Sequence, residues 1–195
     1  MSKGESTRQF IIEKSAPLFN TKGIAATAMS DIMEATKLSK GTLYVHFENK
    51  DLLAASAVDY NMEQLSNKLI NKLSQYKTAK EKLYNYLDFF IDPNKPTVIG
   101  GCPMLNFGTE ADDTNEIIKM KVNNLIAKSQ KLLSDIIKEG IDNGEFKLDW
   151  KPEDFATMMF AMIEGGVLIC RVAGNNTKMK IINKNLKKMI TAQSL

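Results

Sequence analysis

Apolar residues recur along most of this chain at steps of three and four, the period of helices that bury one face. Phe10, Ile11, Ser15, Leu18 and Phe19 carry that period over residues 6–22, where Pro17 predicts a kink and Gly23 a stop. A short helix follows, capped by Thr27 and buried through Met29, Ile32, Met33 and Thr36. Lys37 and Leu38 break it, and Ser39 caps a second short helix whose inward residues are Leu43 and Phe47. Asn49 caps a long helix over 50–75, with Leu52, Leu53, Ala57, Tyr60, Leu65, Leu69 and Leu73 on its apolar side. Another is expected over 78–91, through Leu83, Tyr86, Leu87 and Phe90, before Asp92 to Pro96 breaks the chain. A short helix from Pro103 to about Ala111 and long helices over 114–143, 152–173 and 176–192 complete an all-α chain.

The helix over 114–143 carries two stripes, one through Ile118, Val122, Leu125, Ser129, Leu132 and Ile136, the other through Ile126, Leu133, Ile137 and Ile141. Two stripes need two partners, one the chain's own core and the other a second subunit. Ala161, Gly165 and Gly166 thin the helix over 152–173, which suits close approach by another helix. Leu125, Leu132, Ile136, Ala161, Gly165 and Gly166 are therefore the expected dimer interface. The last helix is apolar through Met179, Ile182, Leu186 and Met189 and lysine-rich elsewhere, at Lys178, Lys180, Lys184, Lys187 and Lys188.

The two short helices at 27–47 form a helix-turn-helix. With Leu38, Leu43 and Phe47 turned inward, Lys40, Gly41, Thr42, Tyr44, Val45 and His46 face outward. A glycine inside a helix costs roughly 1 kcal/mol relative to alanine, and it makes sense where a DNA strand approaches the backbone. Lys40 and Thr42 suit phosphates or base edges, and Val45 suits a thymine methyl. Tyr44, His46 and Lys50 suit phosphate oxygens, beside the amides of the helix that Asn49 opens.

Residues 23–53, centred on SKGTLYVHFENKDLL, resemble the DNA-binding domain of the TetR family of bacterial transcription repressors. Gly23, Thr27, Ile32, Ser39, Gly41, Leu43, Tyr44, His46, Phe47, Lys50 and Leu53 carry the resemblance, and the helix before them is also similar. Two departures stand out: Lys37 replaces the usual glycine of the turn, and Ser30 replaces a longer basic side chain. A later segment, GGCPMLN at 100–106, is similar to one found in a subset of such repressors.

The resemblance implies an N-terminal three-helix DNA-binding domain at 1–50 and a larger ligand-binding and dimerisation domain at 51–195. The dimer would form through a four-helix bundle. It implies a repressor, released from a near-palindromic operator by a small hydrophobic ligand. The DNA-contacting set is then Thr27, Ser39, Lys40, Gly41, Thr42, Tyr44, Val45, His46 and Lys50. Apolar and methionine-rich residues suit a promiscuous ligand pocket: Tyr86, Phe89, Phe90, Cys102, Met104, Phe107 and Met159, with Asn106, Glu110 and Glu164 as polar groups. Those polar groups suit ligand orientation and suit pairing with one another equally well.

Composition narrows the alternatives. The chain has 195 residues, 44% hydrophobic and 25% charged, with a net charge of +3, which permits nucleic-acid binding through a local patch. One histidine, His46, and no GxSxG turn leave no catalytic constellation, so no enzyme and no cofactor are expected. Glu110, Asp112, Asp113 and Glu116 are carboxylates suited to a hard cation, but a solvated helix end with Asp113 or Thr114 as cap explains them better, so no metal is expected. Cys102 and Cys170, far apart and outside any CxxC, fit a reducing compartment. The polar N-terminus and the absence of a membrane-length apolar run point to a cytoplasmic protein without membrane partners. The alternative reading is a helical ligand-binding or interaction protein that has lost specific DNA binding.

Overall fold

The computed structural model describes residues 2–195, and its described residues form helices without a sheet. In chain order these are α1 (Lys3–Lys22), α2 (Met29–Thr36), α3 (Lys40–His46), α4 (Lys50–Leu73), α5 (Ala79–Phe89), α6 (Pro103–Ala111), α7 (Glu116–Asp142), α8 (Pro152–Ala173) and α9 (Thr177–Gln193). Helix α1 begins earlier than the apolar period suggests, because Ser2 and Glu5 form a reciprocal cap there. It continues through Pro17 and ends on Gly23, at φ 86°.

The chain divides into two compact units: Met1–Leu65 with Thr97–Asn123, and Ser66–Pro96 with Asn124–Leu195. Helices α4 and α7 contribute residues to both.

In the first unit, α1 packs on α2, α3 and α6 around Ile11, Ile12, Ala16, Phe19, Ile32 and Leu43, all 5% exposed or less. Burial of this apolar set, at about 25 cal/mol per Å², is what holds two helices too short to persist alone. Asn61 on α4 donates to Ala16 O at 2.9 Å, and Lys121 on α7 pairs with Asp59 at 2.7 Å. The segment leading into α6 is tied to α1: Asn20 Nδ2 donates to the carbonyls of Ile99 and Gly101, at 2.7 and 3.2 Å. Gly100 lies there at φ 97°, and a Cβ on it would stand 2.6 Å from Asn20 O. Gly100→Ala should destabilise the protein by about 2–4 kcal/mol, through clash with immovable backbone and a strained φ, as a denaturant midpoint would show. Helix α7 is capped by Asn115, whose Oδ1 accepts from Ile118 N at 3.1 Å, and not by Asp113 or Thr114.

In the second unit, α8 packs along α9, and α5 along α9. Phe146, Trp150 and Phe155 stack edge to face at centroid distances of 4.8 and 4.9 Å. The Glu145 carboxylate caps α5 by accepting from the amides of Ala79 and Lys80, at 3.0 and 3.1 Å. Asn183 Nδ2 donates to Leu87 O at 2.9 Å.

Three expectations change. Gly166 admits the chain's own α9: a Cβ there would stand 2.8 Å from Met179 Cε and 2.9 Å from Ile182 Cδ1. Ile136, at 5% exposed, is likewise spent on its own core. Leu125 and Leu132 stay half-buried, Ala161 is exposed, and a Cβ on Gly165 would meet nothing within 4 Å. Around these lie Leu168, Ile169 and Val172 of α8 and Ile181 and Met189 of α9, all exposed. Finally, α8 is long and apolar enough to cross a membrane by length and composition, with 44% of that stretch buried inside the protein. Phe155, Ala156, Met159, Phe160 and Ile163 are among its buried residues, as expected of a core helix.

Candidate nucleic-acid interface

The first unit presents one open face of α3. Ser39 starts it: its Oγ accepts from Thr42 N at 3.2 Å and shares a hydrogen bond with the Thr42 hydroxyl at 2.9 Å. Leu43 and Phe47 are 1% and 5% exposed and anchor the helix, and Arg8 lies 4.6 Å over the Phe47 ring. The tight turn before it closes on Lys37 in the left-handed conformation, φ 58° and ψ 25°, with its N–H bonded to Met33 O. For a residue other than glycine this costs roughly 1–2 kcal/mol, which the packing of both flanking helices offsets.

What remains outside is Lys40, Gly41, Tyr44 and Val45, all exposed, Val45 to 81%. Lys40 Nζ lies 5.8 Å from the Tyr44 ring centroid, so a positive charge stands beside a phenol on one face. A Cβ on Gly41 would meet only Ser39 Oγ, at 3.9 Å, so no neighbour within the protein requires this glycine. Thr42 and His46 are half-buried at the edge of that face. The arrangement can offer an ammonium, two hydroxyls, an imidazole and an apolar tip to a groove about 12 Å wide.

Two residues expected on this face are elsewhere. Thr27 is fully buried, and its hydroxyl turns back to donate to Gly23 O at 2.6 Å. The N-terminal cap of α2 falls to Ala28, whose N–H donates to Asp31 Oδ2 at 3.0 Å. Lys50 turns its ammonium onto the same loop and donates to the carbonyls of Ile24, Ala25 and Thr27, at 2.9, 3.4 and 3.2 Å. Both hold the connection between α1 and α2 in place of touching phosphate.

Glu110 of α6 reaches that loop from its other side. Its carboxylate accepts from Ile24 N at 2.8 Å and Ala25 N at 2.7 Å. The loop thus has its amides on a carboxylate and its carbonyls on an ammonium. Nothing in local spacing announces this, since Glu110 lies 86 residues from Ile24. Asn106 does similar work one turn earlier, donating to Asn20 O at 2.9 Å and Gly100 O at 3.1 Å. Of the residues expected to line a ligand pocket, Asn106 and Glu110 therefore spend their polar atoms on the first unit's own backbone. Cys102, Met104 and Phe107 are buried in that unit. In the second unit, Tyr86 and Phe89 each contact Phe90, with centroids 5.3 and 5.0 Å away, Met159 is fully buried and Glu164 is half-buried.

Asp31 is held below the usual carboxylate range, first by the Ala28 N–H and then by Lys22, 3.0 Å away. A lowered folded-state value stabilises α2 above the ordinary aspartate range, where the carboxylate is charged in both states. That contribution fades as pH falls through the lowered value, because the unfolded chain takes up the proton first. Asp31→Asn should lower the melting temperature at pH 7, and the gap from wild type should close as pH falls below the ordinary aspartate range.

Comparison with known proteins bears on the whole chain. Residues 11–57 match the family described as bacterial regulatory proteins, tetR family, and residues 79–186 match that described as Tetracyclin repressor-like, C-terminal domain. The structure is similar to that of a TetR-family transcriptional regulator from Cytophaga hutchinsonii, at 39% identity and TM-score 0.95, covering 100% of this chain and 98% of that one. It is similar to a TetR transcriptional regulator from Chloroflexus aurantiacus J-10-FL at 34% identity and TM-score 0.94, with the same coverage. A further relative is the HTH-type transcriptional repressor DhaR of Mycobacterium sp. (strain GP1), 25% identical over 170 residues, 86% of this chain and 84% of that one.

Proposed function

Because the chain belongs to the TetR family of DNA-binding transcription regulators, we propose that it is a cytoplasmic repressor whose dimer binds a near-palindromic operator until a small hydrophobic ligand releases it. The observation that carries this reading is the outer face of α3, where Lys40, Gly41, Tyr44 and Val45 stand exposed on a helix otherwise anchored by Leu43 and Phe47. Ser39, Thr42 and His46 complete the contact surface at its edge. Phosphate contacts set the register, and Lys40, Gly41, Thr42 and Val45 choose bases.

Residues 1–50 form the DNA-binding domain in this reading, and residues 51–195 the ligand-binding and dimerisation domain. The exposed apolar face of α8 and α9, with Ala161 and Gly165 at its thin part and Leu125 and Leu132 contributing from α7, packs on the second copy. Two heads related by the twofold then enter successive major grooves. Ligand control requires that the effector bind the two states of the dimer unequally. Within the second unit, Tyr86, Phe89, Phe90 and Met159 supply an apolar lining and Glu164 a polar group.

The test is salt-titrated binding of the purified protein to the DNA upstream of its own gene. Saturable binding that resists competitor DNA, protects a near-palindrome and weakens linearly in log–log salt is the expected result. Weak, sequence-indifferent binding there and in a genome-wide selection of bound fragments would overturn the repressor reading.

A further inference from the structure

One flank of α9 carries charge that the DNA-binding role does not use. Lys180, Lys184 and Lys188 stand four residues apart in succession, so three ammonium groups rise along one side of a single helix. Like charges at that spacing repel and weaken a helix unless an anion comes between them. All three are exposed, and none has a carboxylate partner among the described residues, whereas their neighbour Lys187 is paired with Asp88 at 2.6 Å.

The same lysines line an open groove of about 750 Å³ between α5 and α9. Its apolar wall is Ile91 and Ala192 with the ring of Tyr84, and Asn183 is part of its lining. Asn183 is 3% exposed, and its Oδ1 has no hydrogen-bond donor. The groove therefore joins a surplus of positive charge and an apolar wall, within the size range of small-molecule sites.

We propose that this groove binds an amphipathic organic anion. Its carboxylate, sulfonate or phosphate lies on Lys180, Lys184 and Lys188, and its apolar body rests on Ile91 and Ala192. The groove shares no lining residue with the DNA-binding face or with the effector lining proposed above.

The probe is 8-anilinonaphthalene-1-sulfonate, titrated into the full-length protein by calorimetry and fluorescence. The wild type should bind one probe per protomer at a site that weakens with salt. Lys180→Glu/Lys184→Glu should weaken that site at least tenfold, about what reversing two contacting charges does. Ala192→Trp, which fills the groove without touching its charge, should remove it, and neither variant should change the melting temperature. The uncharged N-phenyl-1-naphthylamine should bind it far more weakly than the sulfonate. Phosphatidylglycerol vesicles are the second arm: binding that the double variant loses would make a lipid phosphate the source of the anion, and its absence would leave a free one. Probe binding unchanged in both variants, equal binding of the uncharged probe, or no wild-type site would overturn the proposal.

Discussion

Replacing Val45 with glutamate is expected to weaken specific DNA binding by at least 100-fold while leaving the melting temperature within a degree or two. Val45 is 81% exposed, so its side chain holds no core together. Placed against a groove walled by phosphates, a carboxylate meets like charge and loses its water without gaining a donor. Val45→Thr is the matched control: it keeps the shape and methyl contact and should retain most of the affinity. Anisotropy on a labelled operator fragment, with a thermal melt of each variant, measures both quantities. Full affinity in the glutamate variant would mean that α3 does not enter the groove.

The second large effect concerns stability. Glu110→Ala should cost about 2–3 kcal/mol, because two backbone amides lose a charged acceptor and that of Ile24, a residue 8% exposed, is left poorly hydrated. The melting temperature should fall by roughly 5–10 °C, read by circular dichroism. Operator affinity should fall with it, since the loop that Glu110 grips fixes where α2 starts. Gly23 is part of that grip: it sits at φ 86°, and a Cβ there would lie 3.1 Å from the Glu110 carboxylate. Lys50→Met should show a smaller loss of the same kind, since its ammonium holds the carbonyls of the same loop. The double variant should lose less than the sum, because either change already frees the segment that both hold. Strict additivity would show that the two groups act on separate elements.

Residues judged by their place on one helix, such as Leu43 and Phe47 inside and Tyr44 and Val45 outside, fall where the period puts them. Thr27 lies in the loop before α2 and Lys50 is the first residue of α4, places where the apolar period says nothing about direction. A lysine near a helix start looks available for phosphate until three carbonyls are found around its ammonium.

The sequence by itself determined the succession of helices, since apolar period, capping residues and breaks act over a few residues. Pro103–Ala111 and Pro152–Ala173 form over the ranges those signals mark. It also determined the helix-turn-helix, because Ser39, Leu43 and Phe47 specify it within nine positions. Only the tertiary structure decided which polar groups meet: Glu110 with Ile24, Asn106 with Asn20, Asn183 with Leu87. Only it decided which small or apolar residues serve the chain's own packing, such as Gly166 against Met179 and Ile136 in the core. A stripe or a glycine states that something must approach, and its partner is fixed by chain segments tens of residues away, beyond the reach of any local pattern.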